Sequence, residues 1–144
     1  MLITKDNYSI STDKTKLDIK TIHDFLTHSY WAENIPVEIV QRSIEGSLCF
    51  GVFVGEKQIG FARMITDKAT FAYLADVFII EAYRGKGLSK WLMEVILTHS
   101  ELQGLRRIML ATRDAHSLYS QFGFSPLNHT DRWMQIHNSN IYKK

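Results

Sequence analysis

A single cysteine, Cys49, excludes an intrachain disulfide, and its place in the apolar run Leu48-Cys-Phe-Gly-Val-Phe-Val54 reads as a small buried hydrophobe. Only two prolines occur, Pro36 and Pro126, neither inside a run of loop residues, and no linker, repeat or low-complexity tract interrupts the chain. No stretch approaches the roughly 20 apolar residues of a membrane span, so no membrane association is expected. The opening Met-Leu-Ile-Thr-Lys-Asp-Asn lacks a signal-peptide core, so a cytoplasmic location is expected. Charge of one sign is also scarce. Seventeen Lys and Arg stand against fifteen Asp and Glu, and the cations group densely only at Arg84-Gly-Lys86 and Arg106-Arg107. A nucleic-acid-binding face would need these four cations on one surface, and a solvated surface is the simpler reading. The six histidines have no companions at ligand spacing, so no metal site is expected.

What is present is a chain of 144 residues, the size of one domain spanning 1–144, with 8 Phe, 6 Tyr and 3 Trp to fill a core. Asn7–Ser11 alternates polar and apolar and predicts a short first strand. Ile19, Ile22, Phe25 and Leu26 fall at helical spacing behind Asp18, a candidate N-cap. Pro36 suits the first turn of a second helix, Val37–Ile44, ended by Gly46. Ser47–Val54 and Gln58–Thr66 flank Gly55-Glu-Lys57 as a hairpin, and Thr70–Ile80 is a third strand of this meander. The period then changes: Leu88, Trp91, Leu92, Val95 and Ile96 make an amphipathic helix running to about His99. Arg107–Thr112 reads as a short strand and Ala115–Phe122 as a helix ended by Gly123. Phe124–Leu127 with Trp133–His137 predicts a final hairpin. The order β-α-α-β-β-β-α-β-α-β-β implies an α/β or α+β sandwich, a mixed sheet with helices on both faces.

The stretch that carries chemistry is Asp76-Val-Phe-Ile-Ile-Glu-Ala-Tyr-Arg-Gly-Lys-Gly-Leu-Ser89, where an apolar strand runs through a turn into a long helix. The first amides of a helix lack intrahelical partners and carry the positive end of its dipole. Gly85 and Gly87 let a phosphate approach the backbone, and Arg84 and Lys86 add full charges. No Walker string occurs, and Lys90 stands where a dinucleotide fingerprint needs its third glycine. The turn alone fits an anion site or a plain chain reversal equally.

Arg84-Gly-Lys-Gly87-Leu-Ser89, preceded by Val77-Phe-Ile79, resembles motif A of the GNAT superfamily of N-acetyltransferases, Gln/Arg-x-x-Gly-x-Gly/Ala, with Ser89 where Gly or Ala is usual. Ala115-His-Ser-Leu-Tyr-Ser-Gln-Phe-Gly-Phe124 is similar to motif B, Ala-x-x-Leu-Tyr-x-x-x-Gly-Phe. The resemblance implies the GNAT fold, a single domain with a mixed, mostly antiparallel sheet, and acetyl-CoA as co-substrate. It also implies that amides from Gly85 through Lys86, Gly87 and Leu88 to Ser89 bind the pyrophosphate. The strand at Phe78, Ile79 and Ile80 would pair with the pantetheine arm, admitted by a splay between this strand and Arg107–Thr112. Thr112 stands where relatives often have an Asn contacting the cofactor.

Transfer to an amine needs a neutral nucleophile, a polarised thioester and a proton for the leaving thiolate. Tyr119 matches the tyrosine that in many relatives supplies that proton; on periodicity alone it is a core tyrosine. Asp76 interrupts an apolar strand, where an unpaired carboxylate is costly. It stands as the base or amine-binding group, or as a carboxylate bonded to local backbone or a nearby Arg; Arg63 by alternation faces either side. Tyr30, Trp31 and Glu33 fall where this superfamily lines its acceptor pocket, and read otherwise as a hydrophobic cap on the helix pair. The expected partner is a small-molecule or peptide amine, and the resemblance allows a homodimer. A non-catalytic acyl-CoA sensor would keep the phosphate turn and lack a working acid.

Overall fold

The computed structural model describes residues 1–144. Six strands form one sheet in the order β1 to β6: Leu2–Lys5, Tyr8–Ser11, Leu48–Val54, Lys57–Thr66, Phe71–Ile79 and Arg107–Met109. The first five are antiparallel neighbours, and β6 alone runs parallel, beside β5. The helices are α1 (Ile19–Leu26), α2 (Val37–Glu45), α3 (Leu88–Thr98) and α4 (His116–Ser120). The expected α+β sandwich is therefore present, a mixed and mostly antiparallel sheet with helices on both faces.

Two buried clusters sit on the two faces. Phe50, Val52, Met64 and Leu74 pack with Trp91, Leu92 and Ile96 of α3 and Tyr119 of α4. Cys49, Phe61 and Phe78 pack with Ile22 and Leu26 of α1 and Val40 and Ile44 of α2. The alternation along each strand sends neighbouring side chains to opposite clusters. Each helix begins where expected. The carboxylate of Asp18 accepts from the amides of Lys20 and Thr21, and Pro36 and Gly46 bracket α2.

Three expectations change. The strand expected at Asn7–Ser11 is β2, and it has an unforeseen partner: β1 precedes it, turning at Asp6 in the left-handed region. The strand expected over Arg107–Thr112 pairs only through Met109, opposite Tyr73, and β5 runs on alone to its bulge at Asp76 and Val77. The final hairpin does not form. Residues 124–127 and 133–137 contain no strand, and every residue from Ser125 to Ile141 is exposed.

Candidate active site

The divergence of β5 and β6 creates the site. Their pairing is confined to Phe71–Tyr73 against Arg107–Met109, while β5 continues to Ile79. Its outer edge is therefore unpaired from Leu74 onward. A bulge bends it there. Phe61 opposes Phe78 but Arg63 opposes Ala75, so Asp76 and Val77 together face Ala62. Such a bulge kinks its strand and re-aims the side chain. Asp76 takes φ 56°, a left-handed conformation that Asp tolerates better than most residues. The extra residue flips the parity of β5: Ala72 and Leu74 face the α3 cluster, whereas Phe78 faces α1 and α2.

Asp76 is held from two directions. Its Oδ2 accepts from Arg63 Nε at 2.9 Å and its Oδ1 from Trp31 Nε1 at 2.9 Å. Arg63 Nη1 also donates to Ser47 Oγ at 3.1 Å. The paired side chains are 15% and 9% exposed, which places this ion pair inside the protein. Arg63 thus faces the α1–α2 side, the orientation that alternation left open.

From this pair an aromatic path leads outward. Phe25 stacks on Phe78 at 4.1 Å between centroids, Trp31 lies 6.2 Å from Phe25, and Tyr30 meets Trp31 edge-on at 5.1 Å. Tyr30 then spans to the segment after β6: its hydroxyl accepts the Arg113 amide at 3.2 Å, and the Arg113 guanidinium lies 3.8 Å from the ring centroid. Tyr30 and Trp31 are half-exposed, so the path forms a wall. Glu33 is exposed and touches none of these groups.

Beyond β5 the chain makes one 3-10 turn, Glu81–Tyr83, and reaches the glycine pair. Gly85 at φ 78° and Gly87 at φ 77° both occupy the left-handed region, and a Cβ on either would meet open space. Glycine is required there by backbone conformation, and the turn faces outward. The amides of Gly85, Lys86 and Gly87 donate to no backbone carbonyl, and no side chain caps α3. Leu88 and Ser89 open the helix, so their amides lack a preceding turn to bond to. Leu88 buries its side chain in the core while Lys86 stays exposed without an ion-pair partner. Arg84 folds back, its Nε donating to the Ile79 carbonyl at 2.9 Å. Of the expected trio, Phe78 is committed to the core and the Ile80 amide donates to Ile59 at 2.8 Å. Backbone groups of successive strand residues point to opposite sides, so Ile79 faces the open edge.

Tyr119, 8% exposed, stands on α4 and packs in the same buried cluster as Ile79 and Leu88. Burial holds its hydroxyl above the ordinary tyrosine range, with Tyr30 and Asp114 adding smaller repulsions. Its hydroxyl makes no hydrogen bond within the protein, and no buried polar side-chain atom lacks a partner, so this oxygen keeps access to solvent, in the trough that Ile108, Thr112 and Phe124 also line. Thr112 Oγ1 accepts the Ala115 amide at 3.1 Å, fixing the entry to α4. Tyr30, Trp31 and Asp76 come together on one face, and Tyr119 packs in one buried cluster with Ile79 and Leu88. Phe25 and Arg113 were not anticipated. Phe25 reads as core by its spacing, and only the Tyr30 contact gives Arg113 its place.

Comparison with known proteins agrees with this fold. The chain is 31% identical over 141 residues to a candidate acetyltransferase of Gibberella zeae, covering 82% of this chain and 78% of that one. It superposes on the crystal structure of a candidate GNAT-family acetyltransferase from Xanthomonas campestris pv. campestris with a TM-score of 0.94. The two are 46% identical, with 98% of this chain and 100% of the other covered. A GNAT acetyltransferase from Elizabethkingia anophelis, crystallised with acetyl-CoA, shares the fold at 14% identity and a TM-score of 0.64, over 84% and 78% of the chains. The family model described as Acetyltransferase (GNAT) family matches residues 18–124, and the chain belongs to that family of acetyltransferases.

Proposed function

We propose that the protein transfers the acetyl group of acetyl-CoA to the amine of a small molecule or peptide, by direct attack within the β5–β6 cleft. The observation that carries this is the coincidence of three features. An unpaired strand edge ends in a turn of free amides, and a buried tyrosine with an unbonded hydroxyl shares the core cluster of Ile79 and Leu88, at the two ends of that stretch. The pyrophosphate fits the amides of Gly85–Ser89, where two glycines leave space for it and Lys86 supplies an unmatched charge. The pantetheine arm fits the outward edge at Val77 and Ile79, as an added strand would.

A neutral amine attacks the thioester carbonyl carbon, forming the C–N bond. The tetrahedral oxyanion is met by an outward amide of the bulged strand. The C–S bond then breaks, the thiolate takes the hydroxyl proton of Tyr119, and the ammonium proton leaves to water. Tyrosinate recovers its proton from solvent. Burial suits Tyr119 to this role, because it keeps the phenol protonated throughout the neutral range.

Asp76 is assigned to positioning on the amine side. Both its oxygens already accept a hydrogen bond and Arg63 matches its charge, so it fixes the Trp31 face against which the amine lies. Tyr30 and Trp31 form the acceptor wall, with the exposed Glu33 at its rim. The test is a panel of amines assayed by thiol release from acetyl-CoA. Turnover on at least one amine, lost in Tyr119→Phe, supports the reading. Tight acetyl-CoA uptake with no turnover on any amine supports a non-catalytic acyl-CoA sensor instead.

A further inference from the structure

We propose that the acceptor amine carries an anionic group of its own, a carboxylate or a phosphate, and that the Arg113 guanidinium held on the Tyr30 ring selects it. This rests on the acetyl-transfer reading of the β5–β6 cleft and names the class of amine that the cleft takes. Two adjacent residues of the connection between α1 and α2 join the two sides of the split. Trp31 Nε1 donates to Asp76 in the β5 bulge at 2.9 Å. The Tyr30 hydroxyl accepts the amide of Arg113, which follows the last paired residue of β6, Met109, after a short stretch of chain. The aromatic wall therefore has one end on β5 and the other on the chain leaving β6.

The two ends differ in charge. On β5 the Asp76 carboxylate is matched by Arg63 and bonded by Trp31, so that end is neutral. At the other end the Arg113 guanidinium lies 3.8 Å from the Tyr30 ring centroid, exposed and without an ion-pair partner. Its only hydrogen bond is the one its backbone amide makes, so every side-chain donor is free. The other arginines near the split are already engaged, Arg63 with Asp76 and Ser47, and Arg84 with the Ile79 carbonyl. A guanidinium stacked by its face keeps its in-plane donors open, and their fork matches two oxygens of a carboxylate or phosphate. Tyr30 fixes Arg113 twice, by ring and by hydroxyl, so a ligand need not order it. The remaining titratable groups nearby are Glu33, Asp114 and His116, all exposed and unpaired. Asp114 lies on the side of Tyr119, whose hydroxyl its charge helps to raise. An acceptor that is both amine and anion thus finds an opposite charge for each group, its ammonium beside Asp114 and Tyr119 and its anion on Arg113. A purely cationic amine finds the Tyr30 face already covered by a cation.

Thiol release from acetyl-CoA is compared for matched amines: the common amino acids with their carboxamides, aminoalkyl phosphates with the corresponding amino alcohols, and linear diamines. An anionic member is expected to exceed its neutral counterpart in kcat/KM by about 10- to 100-fold, the worth of hydrogen bonds between charged groups. The arm that leads, amino acid or phosphate, identifies the anion. In Arg113→Gln the ratio is expected to fall toward parity, and in Arg113→Glu to turn in favour of the diamines. A merely structural Arg113 would lower both members of a pair together and leave their ratio unchanged. Neutral amines or diamines leading in the wild type, or a ratio indifferent to Arg113→Gln, would overturn the proposal. The same pairs are also titrated into the CoA-saturated protein and followed by tryptophan fluorescence, which separates this inference from the transfer reading. Binding that prefers the anion and needs Arg113, with no turnover, upholds the selection and contradicts the transfer. Turnover without that preference does the reverse. No binding of either member of any pair would also overturn the proposal.

Discussion

The two ends of the sheet are built on different terms. From β2 to β4 every strand has a partner on both sides over most of its length, and both faces are covered by helices. On the other side of β5 the pairing lasts three residues, α4 has five residues, and everything after Phe124 lies in solvent apart from Tyr142. The closed side holds a shape; the open side offers backbone groups, a cleft and a free edge to something else. The bulge at Asp76 is the boundary, since it bends β5 away from β6 and brings Arg63 and Trp31 onto one carboxylate.

The comparison predicts effects of different kinds on the two sides. Asp76→Ala leaves Arg63 buried without its counter-charge. Breaking a buried pair costs about 3–5 kcal/mol, so the thermal midpoint is expected to fall by roughly 10 °C. A fall of only a degree or two would show that the bulge does not depend on this pair. Tyr119→Phe acts on the open side and is expected to lower kcat about 100-fold or more while the midpoint stays within a few degrees. Because burial raises this hydroxyl's pKa, the proton donor is fully present at neutral pH and is lost only above the ordinary tyrosine range. A descending limb that begins below pH 9 in the wild type and is absent in Tyr119→Phe would contradict the upward shift of this hydroxyl.

Glycine substitutions sharpen the contrast. A Cβ at Gly60, within β4, would sit 2.7 Å from Ile79 Cδ1, 3.0 Å from the Phe78 carbonyl oxygen and 3.1 Å from Val52 Cβ. Overpacking of this kind costs about 1–3 kcal/mol, read by chemical denaturation. Gly85→Ala meets nothing, so its strain comes from φ alone, about 1 kcal/mol, and its main readout is weakened acetyl-CoA affinity. The smallest effect is a titration on the closed side. Burial raises the Cys49 thiol from an ordinary 9.0 to about 11. The unfolded thiol ionises first as pH rises, so stability attached to the protonated form is intact below pH 9 and lost through about pH 11. Cys49→Ser is expected to remove that slope from the stability–pH curve.

The same division decides what could be read from the sequence. The hairpin of β3 and β4, β5 and the long helix α3 are specified by local period, and each lies within a residue or two of its expected bounds. The turn at Gly85–Gly87 was legible because glycine spacing at a strand-to-helix junction is a local signal. β1 escaped because four exposed residues ending in a lysine carry no alternation against a core. That Asp76 bonds a nearby Arg was one of its two readings; that this Arg is Arg63, and that Trp31 joins it, escaped because the bulge changes which face each residue of β5 occupies and leaves no periodic trace. An acidic residue inside an apolar strand beside an arginine-bearing one was its only signal. The last hairpin was expected from a real alternation at Trp133–His137, and neither that segment nor residues 124–127 forms a strand.

Isothermal titration of acetyl-CoA into the full-length protein tests the central claim most directly. One molecule taken up per chain is expected, with affinity reduced at least about tenfold by Gly87→Val, whose side chain would have to adopt the left-handed φ of 77°. No uptake by the wild type, or uptake indifferent to Gly87→Val, would contradict the assignment of that turn to the coenzyme's phosphates.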